Sequence, residues 1–451
     1  MNKRLLFIAY FYPPLGGPGV QRPLKTIKYL KDFGWEIDVL TVADIQFHSY
    51  DFELLQESRA DNIYRTKSFD LMSLTKGKRK RDEVSIKNSP NSIYFSTPEK
   101  IKKIIRGMFP IDDKIGWFPF AYKKALHLLK NRQYSAIVAT IGPYTSGVLA
   151  YCLHKKTNVP YFIDYRDHWT LHSYPQYRLK ILNYHAKCLE KKILRHSKGV
   201  FVVSSLMKKK MIDEFGEYLL KKTEVVYNGF DDEDFLGTVR THLCCPKKQT
   251  RHKITTLTQR SKCGSRLQFI RYIGNFYGNR NVQHFINVLN EMNQKNEIPA
   301  NVRFEFVGNY FTETQRLLKS ENLSSFIQII PQVSHKEAVR LMQTADLLLL
   351  FIPSSDGEDF MTGKLLEYIR ACVPILAMIP ENGEAAKILR DSGHNLICKM
   401  EDEVTIRSIL NDFLLKSEKI KHHDFSCDEQ YSRKNQTQKF NMSLEKVFDA
   451  R

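Results

Sequence analysis

The chain has 451 residues, 42% hydrophobic and 12% aromatic, which excludes a disordered polymer and exceeds one ordinary core; two domains with large cores are the simplest division. Lys and Arg exceed Asp and Glu by a formal +20, favouring anionic partners such as nucleic acid, an acidic glycan or the anionic face of a membrane. Eight scattered cysteines without paired Cys-x-x-Cys spacing exclude a disulfide framework or a zinc ribbon, and free thiols in a reducing cytosol are expected.

Met1-Asn2-Lys3-Arg4 and the apolar run from Leu5 to Phe11 imitate a signal peptide. The run is short and meets Pro13-Pro14 and Gly16-Gly17, which suits a buried strand entering a loop. Nowhere does the sequence reach the ~18 apolar residues of a membrane span. A parallel strand is predicted over 5–9. Val20, Leu24, Ile27 and Leu30 then recur at helical spacing before Gly34 stops the helix, and 37–42 is the next strand. Strand, glycine-rich loop, helix and strand make a βαβ unit. The loop Pro13-Pro14-Leu15-Gly16-Gly17-Pro18-Gly19 does not match Gly-x-Gly-x-x-Gly, which weakens a dinucleotide-binding reading.

Further strands are predicted at 136–140, 161–165, 200–203 and 224–227, with helical patterns between them, implying a parallel sheet covered on both faces. Two strand ends are polar. One is Thr140-Ile141-Gly142-Pro143; the other, Asp164-Tyr165-Arg166-Asp167-His168-Trp169, gathers acid, base and aromatic groups where open α/β sheets place active sites. Asp167 with Arg166 could equally be a structural ion pair, and His168 a satisfied loop histidine.

After a basic linker over 236–266, a strand over 267–273 ends in Gly274-Asn275-Phe276-Tyr277-Gly278-Asn279-Arg280-Asn281. Arg280 is the first choice for a pyrophosphate cation, because guanidinium binds phosphate oxygens bidentately. Strands at 302–307 and 326–330 and a helix over 337–345 lead to the apolar run 347–351. That run ends in Ile352-Pro353, and after a polar loop Gly363-Lys364-Leu365-Leu366-Glu367-Tyr368 opens a helix, with Pro374-Ile375-Leu376-Ala377 beyond. A glycine-started helix at the carboxyl end of a buried strand offers free amide N–H groups to phosphate. Gly363 lets a ligand approach the backbone, Lys364 adds a cation, and Glu367, one turn in, can accept both hydroxyls of a ribose. With no ligand in view, the same stretch is a buried strand and an amphipathic helix with ordinary surface charges. The segment 431–448 is helical in character.

Asp359 and Glu367, an acid and a Glu separated by seven residues, have the spacing that marks many retaining glycosyltransferases of family 4. The chain resembles that family in the same order of elements from Leu5 to about Phe448, although the family usually has Glu where Asp359 stands. The loop at 13–19 resembles the glycine-rich loop those enzymes place over the cleft, near donor phosphate and acceptor. Asp164 to Trp169 resembles the Asp-x-Arg-Asp-x-Trp pattern of a subgroup associated with bacterial surface-polysaccharide assembly; other members carry His-Asp there, with Arg166 in register with their His. Leu189-Glu190-Lys191-Lys192, Val202-Val203-Ser204 and Val226-Tyr227-Asn228-Gly229-Phe230-Asp231 continue the likeness. Where the family has Gly-Arg and a later Lys, this chain has Gly274-Asn275 and Arg280, and Pro331-Gln332-Val333-Ser334 falls where such folds meet the nucleotide base through backbone groups.

The resemblance implies an α/β GT-B fold, two Rossmann-like domains facing each other across a cleft. Its parts would be an acceptor-side domain over 1–235, the linker 236–266, a donor domain over 267–430 and a terminal helix, about 431–451, packing back on the first domain. It implies donor contacts from Gly16, Gly17, Gly274, Asn275, Arg280, Val333, Asp359, Thr362, Gly363, Lys364, Leu365 and Glu367, and a catalytic set of Asp167, His168 and Arg166. The implied reaction moves a sugar from a nucleotide-diphosphate sugar, UDP- or GDP-linked, to a hydroxyl of a growing lipid-linked surface glycan. Retention and no obligatory metal or other cofactor are implied. Arg280, Lys364 and the helix N-terminus could stabilise a departing diphosphate without Mg²⁺.

Two basic stretches stand outside the sheet pattern, Lys76-Gly77-Lys78-Arg79-Lys80-Arg81 and Ile101-Lys102-Lys103-Ile104-Ile105-Arg106-Gly107-Met108-Phe109, and the chain from Leu236 to Arg271 holds no acid. They are charged insertions in solvent or an anchor on an anionic membrane; a cytoplasmic protein is expected, peripheral to the inner face of the cytoplasmic membrane in the second case. Nucleic acid is disfavoured as a partner, because paired zinc ligands, a helix-turn-helix signal and an aromatic RNP-like strand are all missing. The alternatives are another GT-B enzyme, such as a sugar-nucleotide epimerase or phosphorylase, and a non-catalytic basic scaffold binding nucleic acid or membrane.

Overall fold

The computed structural model describes residues 3–43, 45, 47, 50–69, 109, 111–172, 177, 179–236, 266–276, 282–310, 312–319, 321–420 and 425–449. The basic stretches 76–81 and 101–108, the linker over 237–265 and Arg280 lie outside them.

The first sheet is built from β1 (Arg4–Ile8), β2 (Glu36–Val42), β3 (Asn62–Thr66), β4 (Ala136–Ile141), β5 (Tyr161–Tyr165), β6 (Gly199–Val202) and β7 (Thr223–Val225). All pairs are parallel, in the order β3-β2-β1-β4-β5-β6-β7, with Leu5 opposite both Ile37 and Ala136. β1, β4, β5 and β6 are near-continuous apolar runs because helices cover both faces. Those helices include α1 (Pro18–Leu30), α2 (Phe118–Asn131), α3 (Thr145–Thr157), α4 (Lys180–His196) and α5 (Ser205–Phe215). Pro18 at the first position of α1 needs no amide partner, and Gly34, at φ 81°, ends the 3-10 turn that extends it. The sequence reading passes over β3, a half-buried edge strand with no apolar run.

The second sheet comprises β8 (Gln268–Ile273), β9 (Val302–Val307), β10 (Ile327–Ile330), β11 (Leu347–Phe351), β12 (Ile375–Met378) and β13 (Ile397–Cys398). It is also parallel, in the order β10-β9-β8-β11-β12-β13. Its helices are α6 (Gln283–Gln294), α7 (Thr312–Leu318), α8 (His335–Gln343), α9 (Lys364–Arg370), α10 (Glu384–Asp391) and α11 (Glu403–Ile420). Tyr272, Phe276, Phe285, Phe304, Phe306 and Phe351 form the aromatic centre of its core.

The chain forms two compact units, and α12 (Arg433–Asp449) belongs to the first. There Trp35 Nε1 donates to Asn441 Oδ1 at 2.6 Å, Phe440 stacks on Phe201 and Lys3 pairs with Glu445 at 2.8 Å. Gly229–Ser432 lies in the second unit, so the contact boundary precedes Gly229, whereas the sequence reading draws it after 235. Phe230 accounts for the difference: its amide donates to the Tyr431 carbonyl at 3.2 Å, and it bridges to Ser432.

Cys152, Cys188, Cys398 and Cys427 are free thiols, as expected of this chain. Among the described residues no helix is long and apolar enough to cross a membrane.

Candidate functional site

Each sheet reverses its strand order once, between β1 and β4 and between β8 and β11, and the crevice beyond the strand ends at such a reversal is where α/β sheets bind ligands. In the second unit β8 ends at Gly274, with φ 132°. A Cβ there would fall on the Lys364 ammonium and lie 2.8 Å from its Cε. Lys364 therefore reaches back from the first turn of α9 to the end of β8, with Nζ 4.0 Å from the centre of the Tyr272 ring. Gly274 and Lys364, two predicted donor residues far apart in sequence, meet at the switch point.

Asn275 turns the other way. Its Oδ1 accepts from the Asn309 amide at 2.7 Å, and Asn309 Nδ2 donates to Gln332 Oε1 at 2.8 Å, so the ends of β8, β9 and β10 are tied together. A Cβ at Gly308 would lie 2.5 Å from the Gly274 carbonyl. Val333 follows Gln332 and is half-buried.

At the start of α9 the structure corrects the expectation of free amides. Thr362 is buried; its Oγ1 accepts from the Lys364 N–H at 3.2 Å and its carbonyl from the Leu365 N–H at 3.3 Å. Leu365 is fully buried, and its side chain is part of the core. Gly363 has ordinary helical φ and ψ of −60° and −28°, and a Cβ there would meet nothing within 4 Å. Its value is therefore open space over the backbone, not unusual torsion. Asp359 is half-buried in the preceding loop. Glu367 projects from the next turn, and 3.7 Å from its Oε1 stands His335 Nε2, which is also 3.1 Å from Asp234 Oδ2. Neither His335 nor Asp234 is marked by any motif in the sequence.

In the first unit Gly16 is buried and Gly17, at φ 95°, precedes α1. The loop after β5 carries the three expected catalytic residues. The Arg166 guanidinium lies across the switch point: Nη2 donates to the Gly142 carbonyl at 2.8 Å and Nε to that of Ile141 at 3.3 Å. A Cβ at Gly19 or at Gly142 would come within 2.5 Å of it. Arg166 thus braces the ends of β4 and α1. Asp167 is exposed, whereas His168 is half-buried, and the Tyr144 hydroxyl donates to the His168 carbonyl at 2.7 Å. The same hydroxyl lies 2.9 Å from Nε2 of His172, a histidine the sequence reading overlooked. Burial lowers the His172 pKa to about 4, against the opposing charge of Asp167, so its ring is neutral at pH 7.

Beneath this loop Trp169 stacks on Tyr144 with centroids 5.2 Å apart, and its Nε1 donates to the Tyr177 hydroxyl at 2.7 Å. Glu190, from α4, is buried and accepts from Tyr165 Oη at 2.9 Å and from Thr170 Oγ1 at 2.5 Å. Desolvation raises its pKa from 4.5 to about 7, although those donors oppose the shift. The fold then holds a proton that the unfolded chain releases, so this contribution to stability is full below pH 4.5 and is lost as pH rises through 7. The loss amounts to about 3 kcal/mol. In Glu190→Gln this loss should vanish, and the melting temperature of the variant relative to the parent should climb between pH 5 and pH 8. A difference that stays flat would mean that Glu190 titrates normally.

Two Rossmann-like parallel α/β units, each with one strand-order reversal, define a two-domain GT-B fold. Residues 24–234 match the model of Glycosyltransferase Family 4, a finding that supports a glycosyltransferase of that family. No curated protein matches the chain. Among solved structures it is similar to sucrose-phosphate synthase from Thermosynechococcus elongatus, with a TM-score of 0.63, 15% identity and 100% of both chains covered. A glycosyltransferase from Rickettsia africae ESF-5 follows at TM-score 0.59 and 14% identity, covering 99% of this chain and 98% of that one. The UDP-GlcNAc 2-epimerase from Neisseria meningitidis bound to UDP-GlcNAc matches at TM-score 0.53 and 14% identity, covering 98% and 100%. At these identities the likeness speaks for the fold.

Proposed function

We propose that the chain is a retaining glycosyltransferase that moves a sugar from a nucleotide-diphosphate sugar to a hydroxyl of a growing, lipid-linked glycan. The observation that carries this reading is the Lys364 ammonium set over Gly274, with the Glu367 carboxylate one helical turn further on. A cation at the end of β8 matches a diphosphate, and a carboxylate a turn away matches the adjoining ribose. Lys364, with Arg280, takes up the charge that builds on the leaving phosphate as the glycosidic bond breaks. The leaving phosphate helps to remove the acceptor proton on the same face of the sugar, which retains the anomeric configuration. Asp167 and His168 position acceptor or sugar, and Arg166 holds their loop against β4. The +20 charge supports a cytoplasmic protein drawn to the anionic inner face of the membrane, where a lipid-linked acceptor resides.

Calorimetric titration with UDP, GDP, ADP and CMP tests the donor site. One diphosphate should bind at micromolar affinity, and Arg280→Ala and Glu367→Ala should each weaken it about tenfold or more. Failure to bind any of them would remove the transferase reading. Turnover of the matching nucleotide sugar without any acceptor would instead favour an epimerase, the activity named for one of the structural neighbours.

A further inference from the structure

His335 is the first residue of α8, just after the cap Ser334, whose side chain accepts from the Glu337 amide at 3.4 Å. Its ring lies between two carboxylates, Asp234 at 3.1 Å and Glu367 at 3.7 Å, and the three side chains are only 16%, 13% and 13% exposed. Asp234 belongs to the 3-10 turn Asp232–Phe235, which is fastened to the far end of α9: Arg370 Nε donates to Asp232 Oδ1 at 2.8 Å, and its guanidinium lies over Phe230 and Phe235. One short turn thus grips α9 at Arg370 and reaches the start of α8 at His335.

The two distances decide the chemistry. At 3.1 Å Nε2 hydrogen-bonds Asp234, whereas 3.7 Å to Glu367 is too long for a hydrogen bond. The imidazole therefore limits the space open to the Glu367 side chain without occupying its acceptor oxygens. A glutamate on an open helix turn would otherwise sample several rotamers, and ordering them on binding costs affinity.

We propose that His335, held by Asp234, is a positioning residue that sets the Glu367 carboxylate for the ribose hydroxyls of the nucleotide donor. This rests on the donor reading above. Among the described residues no group of three or more His, Cys, Asp or Glu is arranged to hold a metal ion.

The test uses the full chain and whichever of UDP, GDP, ADP or CDP binds most tightly, measured beside its 2′-deoxy counterpart. The parent protein should prefer the ribonucleotide about tenfold or more, and Glu367→Gln should erase that preference. His335→Ala should also erase most of it while leaving 2′-deoxy affinity within about twofold, because phosphate and base contacts persist. His335→Gln, which keeps a donor toward Asp234, should restore part of the preference, and Lys336→Ala, on the exposed face of α8, should change nothing. If His335→Ala melts too early to measure, Asp234→Asn with the same two ligands takes its place. A variant that weakens both ligands equally, or that keeps the preference Glu367→Gln loses, overturns the positioning role alone. A parent protein with no ribose preference removes the ribose role of Glu367 and this proposal with it, and one that binds no diphosphate removes the donor reading beneath both.

Discussion

Gly274→Ala is expected to lower nucleoside-diphosphate affinity by about 10- to 100-fold, the worth of a charge-assisted contact. Two effects act at one atom. At φ 132° a side-chain-bearing residue is strained by about 1–3 kcal/mol. The new Cβ also occupies the place of the Lys364 ammonium, which must leave the Tyr272 ring and the end of β8. The variant should therefore melt earlier and bind more weakly. Gly363→Ala separates stability from binding, because its Cβ meets nothing within 4 Å and its torsions are helical. Its stability should stay within about 1 kcal/mol of the parent, while affinity falls because the added methyl projects into space the ligand needs. Thermal melting and calorimetry on the two variants check both statements. A Gly274→Ala protein that binds diphosphate like the parent would place the phosphate away from Lys364.

What could be read from the sequence follows from what is local. Buried parallel strands announce themselves as apolar runs, so 161–165, 302–307 and 347–351 carry the bounds seen in the structure. β3 does not, because an edge strand with one wet face has no such run. The Gly363-Lys364 helix start is local too, but the capping by Thr362 depends on side-chain rotation that no spacing encodes. Asp234 and His335 are separated by a whole βα series and the linker, and each alone looks like a solvated residue. Their meeting follows from how the turn Asp232–Phe235 packs within the second unit, a tertiary fact. Arg22 stayed invisible for the same reason. It sits in the α1 pattern as one more basic residue, yet its side chain is buried.

That arginine sets the second large expectation, which concerns stability. Arg22 is 3% exposed and Asp164, at the core of β5, is fully buried. Nε donates to both carboxylate oxygens at 2.9 and 3.0 Å, Nη2 to Oδ1 at 2.5 Å and Nη1 to the Val226 carbonyl at 2.8 Å; Thr140 Oγ1 adds a bond to Asp164 Oδ2 at 3.0 Å. The pair thus ties α1, β4, β5 and the end of β7 together beneath the loop that carries Arg166, Asp167 and His168. Asp164→Ala leaves a guanidinium buried without its counter-charge, which should cost about 3–5 kcal/mol. At about 2–4 °C per kcal/mol for a unit of this size, the melting temperature should fall by roughly 6–20 °C. Replacing both partners with apolar residues, Arg22→Met with Asp164→Leu, removes the stranded charge, and stability should recover most of the way despite the lost bonds. Chemical denaturation of the single and double variants settles it: a double variant no better than Asp164→Ala would mean that the bonds to Val226 and Thr140, rather than the buried charge, set the stability of this unit.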